Sequence, residues 1–235
     1  MHKGVFEGKN AKTQQVKILI LGESHHWSKE DWVTADGETE AEAEERRKKK
    51  AETYRTEDVV KRYFVNYANC CNRDRDYRFF DNIVQTFGIP PENRIDFWNR
   101  VWFGNYIDEL CGVRDSKATK LLREPGKREA LNKKLFEFIE ANEIDIVFCF
   151  SRRVYNKLPP LELDGDMAIE KEKSDSHRLN ECFYDAGQRR CVQISLSKPV
   201  TVYGLKHPSQ GFSYRRYQEQ IANLIQKHNL PFQNV

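Results

Sequence analysis

Residues 16–27 read VKILILGESHHW, an apolar run that ends abruptly in a glycine, a carboxylate and two histidines. Val16, Ile18, Leu19, Ile20 and Leu21 show no polar alternation, the pattern of a strand covered on both faces in a parallel sheet. Gly22 is expected to let the backbone turn where that strand ends. Ligands of open α/β sheets sit in the crevice beyond the carboxyl ends of the strands, which is where Glu23, Ser24, His25 and His26 should fall. Taken singly, Glu23 reads equally well as a helix-capping carboxylate and the histidines as exposed side chains. Their clustering is what points to chemistry.

The rest of the chain supplies the partners of such a strand. Thr56 with Glu57 and Asp58 behind it reads as a helix start, running through Tyr63, Phe64 and Tyr67. Phe80, Ile83, Val84 and Phe87 mark a helix over 77–87, stopped by Gly88 and the Pro90-Pro91 pair. Val101, Trp102 and Phe103 then read as a second strand with Asn105 at its carboxyl end. A buried asparagine offers both a donor and an acceptor, so it can read the edge of a base or satisfy a turn. Leu131, Leu135, Phe138 and Ile139 lie at helical spacing before a strand over 144–150, and Ser151-Arg152-Arg153 opens another helix. This is a βαβ order and predicts a doubly wound parallel sheet. Short strands are expected over 191–196 and 201–205, the second leading to Lys206-His207-Pro208-Ser209, and a last helix buries Tyr217, Ile221, Leu224 and Ile225.

With 235 residues, 39% of them hydrophobic, the chain can bury a core, and one domain over 1–235 is expected, with charged insertions near 35–55 and 160–190. The first insertion carries Glu42/Arg46, Glu44/Lys48 and Glu45/Lys49 at i,i+4 spacing, a solvated helix or mobile arm whose basic run, 46–50, could touch phosphate. A net charge of +3, from 39 basic and 36 acidic residues, does not by itself name a nucleic-acid partner. No window offers a signal peptide or a membrane span, so a soluble, cytoplasmic protein without a membrane or obligate protein partner is expected. Six cysteines form no C-x-x-C pair and read as reduced thiols. No cofactor and no metal is expected.

Gly22-Glu23-Ser24-His25-His26, Gly104-Asn105-Tyr106, the strand within IDIVFCFSRRVYNKLP and the final His207-Pro208-Ser209 occur in the order seen in the uracil-DNA glycosylase superfamily, which the chain resembles over most of 16–225. The resemblance implies a three-layer α/β/α fold on a mainly parallel four-stranded sheet, and hydrolytic excision of a flipped base from DNA, with DNA as partner. It assigns Glu23 to the water and sugar, Asn105 to the base edge, and His207 to the carbonyl oxygen that gains charge as the glycosidic bond breaks. Gly22, Ser24, His25, His26 and Ser209 would line the base pocket, and Phe212 would be the wedge that fills the vacated stack. Lys206, Arg215 and Arg216 are expected to contact DNA phosphates. The chain departs from the family where His25 replaces a proline, where Ser24 replaces the water-activating aspartate of some branches, and in lacking the cysteine spacing of the iron–sulfur branch. Uracil and other deaminated or modified bases are therefore open as substrates.

Other readings use the same residues differently. An inactive module of the same fold would bind nucleic acid without cutting it. A GDS-type serine esterase would use Ser24 as nucleophile, Gly104-Asn105 as oxyanion support and His207 as base, but position 204 is glycine where that family keeps its aspartate. A metal hydrolase on Glu23, His25 and His26 lacks a third ligand at a recognisable spacing.

Overall fold

The computed structural model describes residues 4–26, 33–53, 55–69, 78–111, 116–159, 179–184, 196–208 and 212–232. Six strands, β1 (Phe6–Glu7), β2 (Ile18–His26), β3 (Trp102–Cys111), β4 (Ile146–Cys149), β5 (Asn180–Tyr184) and β6 (Val200–Gly204), form one sheet in the order β1-β3-β2-β4-β6-β5. The central four, β3, β2, β4 and β6, pair in parallel, while β1 and β5 run antiparallel at the edges. The protein is thus an α/β fold on a mixed sheet, larger than the four strands expected. The two extra strands are the edges β1 and β5, and β5 lies inside the stretch near 160–190 read as an insertion. The strand expected over 191–196 lies outside the described residues except for Leu196, which is buried in coil.

Eight α-helices are described: α1 (Glu40–Thr53), α2 (Thr56–Asn69), α3 (Arg78–Thr86), α4 (Arg94–Asn99), α5 (Ser116–Arg123), α6 (Pro125–Ala141), α7 (Arg152–Tyr155) and α8 (Arg215–Lys227). Apolar alternation along the strands divides the core in two. Leu19, Leu21, Val147, Cys149 and Val202 pack with Ala118 and Leu122 of α5 and Leu135 and Ile139 of α6. Ile18, Ile20, Phe103, Phe148 and Tyr203 pack on the other side with Val60 of α2, Phe80 and Ile83 of α3, Trp98 of α4 and Tyr217 of α8. Central strands buried on both faces have no solvent face to mark with polar residues, which accounts for the unbroken apolar run in β2.

The first insertion is helical because it starts well. Thr39 Oγ accepts from the Glu42 backbone N–H at 3.3 Å and the Glu42 carboxylate accepts from the Thr39 N–H at 2.8 Å, a reciprocal capping box. Arg46 of this helix reaches back to Glu38 (2.8 Å) and Arg47 pairs with Glu40. The groove along its exposed side is lined by Glu42, Glu45, Arg46, Lys49 and Lys50, a mixed-charge face. Among the described residues no helix is long and apolar enough to cross a membrane.

The strand boundaries correct two expectations. Gly22 does not turn the chain: β2 continues through it to His26, because β3 is long enough to extend the ladder (Ser24↔Ile107, then, after a shift in register, His25↔Leu110 and His26↔Cys111). For the same reason Asn105 sits within β3, opposite Gly22, and not at its end.

At the C-terminal side, α8 is locked to the sheet through titratable groups. The Tyr203 hydroxyl lies 2.8 Å from His228 Nε2 and donates to Glu181 of β5 at 3.3 Å. Burial, with Lys227 next to it, holds the His228 imidazole below its ordinary value. A histidine whose folded value is depressed is neutral in both states well above about pH 6.5, and as pH falls the unfolded chain takes up the proton first. Stability should therefore decline as pH drops below about 6.5. His228→Gln, which cannot titrate, is expected to flatten that decline in melting temperatures measured between neutral and mildly acid pH, and an unchanged slope would assign it elsewhere.

Candidate functional site

The register pair Gly22 and Asn105 sets a glycine of β2 against a buried amide of β3. Asn105 is only 4% exposed, and its Nδ2 has no hydrogen-bond partner among the described residues. Leaving a buried donor unmade costs about 1–3 kcal/mol, which a ligand that accepts from it would recover; the Trp102 indole N–H on the same strand is also unmade among the described residues, so the amide gains its interest from its surroundings. A Cβ at position 22 would stand 2.3 Å from Asn105 Oδ1 and 3.4 Å from Phe79 Cζ. Glycine is required here for close approach of a side chain to the strand, not for a turn.

Phe79, in the first turn of α3, completes the cluster. Its ring lies 5.3 Å from the His207 imidazole, tilted by 46°, and 5.9 Å from Phe103. The Gly22 Cα, the Asn105 amide, the Phe79 ring and His207 thus converge on the face of the sheet that carries Ile18, Ile20, Phe103 and Tyr203. Ser24, two residues beyond Gly22 on β2, shares that face by the alternation of the strand. Chemically the group offers a carboxamide donor, an imidazole and an aromatic platform, a set suited to a flat, polar-edged ligand. Gly22→Ala is expected to push the Asn105 amide away while leaving the buried strand folded. Affinity for such a ligand should fall about tenfold or more, the worth of one good hydrogen bond to a buried group. Titration calorimetry alongside a melting curve would separate lost binding from lost fold.

Glu23 faces the other way. Leu19 and Leu21 belong to the opposite core, and the two-residue period places Glu23 with them. Its carboxylate is 8% exposed and fully engaged. Ser151 Oγ donates to Oε2 at 2.6 Å, Arg153 Nε donates to the same oxygen at 3.2 Å, and Arg153 Nη2 pairs with Oε1. Arg153 Nη1 reaches Thr119 Oγ1 of α5 at 3.1 Å, and Ser151 also caps α7 by accepting from the Val154 N–H at 3.2 Å. The acid expected beside a reacting water is therefore a buried ion pair that ties β2 to the start of α7, and it is not brought to Asn105 and His207. Burial also pushes the neighbouring Cys149 thiol up to about 12, so that cysteine is inert as a nucleophile.

The remaining expected residues are placed as follows. His25 Nε2 lies 2.9 Å from Thr56 Oγ1 at the start of α2, and only the backbone of His26 is described. Ser209, with 210–211, lies outside the described residues. Phe212 is half-buried and stacks on Tyr217 (5.4 Å, 20°), so it packs α8 and does not project as a wedge. The Lys206 N–H donates to the Tyr217 hydroxyl at 3.2 Å; Arg215 and Arg216 are exposed in the first turn of α8. Among the described residues no group of three or more His, Cys, Asp or Glu could hold a metal ion. The residue that sequence reasoning missed is Phe79. Its signal was present: Phe80, Ile83 and Val84 form the core stripe of α3, and Phe79 falls off that stripe.

The chain matches no family model and no curated protein, so its function rests on its own geometry.

Proposed function

We propose that this protein is a DNA glycosylase of the uracil-DNA glycosylase type, with a three-layer α/β/α fold, in which Asn105 reads the edge of a flipped base lying against Phe79. His207 donates to the base oxygen that gains charge as the glycosidic bond breaks. The observation that carries the reading is the orphaned Asn105 amide, held against a glycine that leaves it room. The parallel order β3-β2-β4-β6, with Phe79 lying between the Gly22–Asn105 pair and His207, supports it. Glu23 has no part in the chemistry in this form of the proposal, and Ser24 is the residue of the first motif on the reacting side.

A second reading, the binding module that does not cut, is favoured by the engagement of Glu23 with Arg153 and Ser151, which leaves the described site without a free carboxylate to activate water. Incubating the protein with oligonucleotides bearing uracil, hypoxanthine, xanthine or hydroxymethyluracil, followed by alkali, tests both. Strand scission at one of these bases is the expected result. Binding abolished by Asn105→Ala but without scission would select the module, and neither binding nor scission would remove both.

Arg215 and Arg216, exposed beside the His207 segment, are the proposed phosphate contacts. Each phosphate neutralised on duplex DNA contributes about 0.9 to the slope of log affinity against log salt. Changing both to Ala should lower that slope by about 2. A slope that does not move would place the DNA elsewhere on the protein.

A further inference from the structure

We propose that Asn82 is a positioning residue for His207, acting through the carbonyl of Pro208; the inference deepens the glycosylase reading and rests on it for its catalytic consequence. The His207 segment leaves the sheet as coil at the end of β6 and so has no ladder of its own to fix it. Upstream it is held twice: the Leu205 N–H donates to the Cys149 carbonyl at 2.8 Å, and the Lys206 N–H donates to the Tyr217 hydroxyl at 3.2 Å. Downstream, Pro208 has no N–H to offer, and its carbonyl is the first acceptor after His207. Asn82 Nδ2 donates to that carbonyl at 3.2 Å.

Asn82 stands three residues after Phe79 on α3, so both side chains emerge on one side of the helix. One helical face therefore supplies the ring that packs on the imidazole and the amide that pins the peptide beyond it. The helix is itself fastened to the rest of the site wall. Gln218 Nε2 of α8 donates to the Gln85 carbonyl at 2.9 Å, and α8 is the helix whose Tyr217 holds Lys206. His207 is thus held at both ends by two helices that are bonded to each other. Loss of the Asn82 contact removes a tether just beyond His207 and gives the imidazole more freedom about the His207–Pro208 linkage. A displacement of about 1 Å at a reacting group can cost a hundredfold in rate.

The test uses the full-length protein labelled with 15N-histidine, with the His207 resonances assigned by their loss in His207→Gln. In the parent, the ring protons of His207 should be shifted by the Phe79 ring current. In Asn82→Ala that shift should shrink while melting temperature stays near the parental value. Single-turnover excision of whichever base is cut should slow about tenfold with DNA affinity unchanged. Asn82→Gln, which keeps an amide donor, should recover part of both, and it serves as the folded comparison if the alanine variant proves unstable. His207 resonances and excision rate that both stay at parental values in Asn82→Ala would overturn the proposal. Resonances that move in a protein that excises no base would sustain the positioning role and sink the glycosylase reading instead.

Discussion

His207→Ala is expected to slow single-turnover base excision about a hundred- to a thousandfold while leaving DNA affinity nearly intact, the range found when one donor to a developing oxyanion is removed. The separation of rate from binding follows from where the charge is. A base oxygen is close to neutral in the bound substrate and gains charge only as the glycosidic bond lengthens, so a donor aimed at it counts mostly in the transition state. The imidazole is half-buried against Phe79 and lies outside the sheet, so its removal opens little of the core. Melting and excision measured on one preparation distinguish this from a packing role, in which activity would fall only as far as the folded fraction. A folded variant that excises at the parental rate would take His207 out of the mechanism.

Much of the sheet was legible in the sequence because burial on both faces writes an apolar run, unbroken in β2 and β4 and interrupted in β6 only by Thr201. Their ends were less legible. Gly22 reads as a breaker in one dimension, and only the pairing of β2 with β3 reveals that the glycine makes room for Asn105 while the strand continues. Glu23 shows the same limit. Adjacent residues on a strand point to opposite faces, so the four polar residues after Gly22 could not all serve one pocket, and the partner that claims Glu23 is Arg153, 130 positions away. Edge strand β5 escaped notice because five residues of mixed character (NECFY) inside a charged stretch carry no period to read. Short helix α4 (RIDFWN) is ambiguous for the same reason: six residues do not complete two helical turns, and its apolar members read equally as strand.

The two engaged carboxylates near the site, Glu23 and Asp81, lie on opposite sides of the sheet and do comparable work. Glu23 fastens β2 to α7 through Arg153, and Asp81 fastens α3, the helix of Phe79 and Asn82, to α2 and α4. Neither is free to take a proton from water in the arrangement described. What the site keeps available is the neutral amide of Asn105, so any catalysis here leans on stabilising the leaving base more than on activating the nucleophile. Glu23→Gln should then leave excision unaltered at equal folded fraction, a result opposite to that expected of a general base.

Asp81→Ala carries the largest expected loss of stability. The Asp81 carboxylate accepts from the Tyr63 hydroxyl at 3.0 Å and lies 3.4 Å from Arg94, whose side chain is 8% exposed. Burial dominates around it: it raises the Tyr63 phenol above its ordinary value, the Asp81 charge adding to the effect, and it pushes Arg94 down. Removing the acid from a buried pair typically costs about 3–5 kcal/mol, because the remaining charge keeps its desolvation penalty and loses the attraction that offset it. For a chain of this size about 3 kcal/mol corresponds to a fall in melting temperature of about 10 °C. Asp81→Asn divides the effect, since it keeps an acceptor for Tyr63 and discards only the charge. If the ion pair dominates, the asparagine variant should melt close to the alanine one; if the Tyr63 hydrogen bond dominates, it should melt close to the parent. Because α3 carries both Phe79 and Asn82, Asp81→Ala should also loosen the His207 signals at temperatures well below its own melting. A variant that loses stability yet keeps those signals sharp would show that α3 is held in place by its apolar stripe alone.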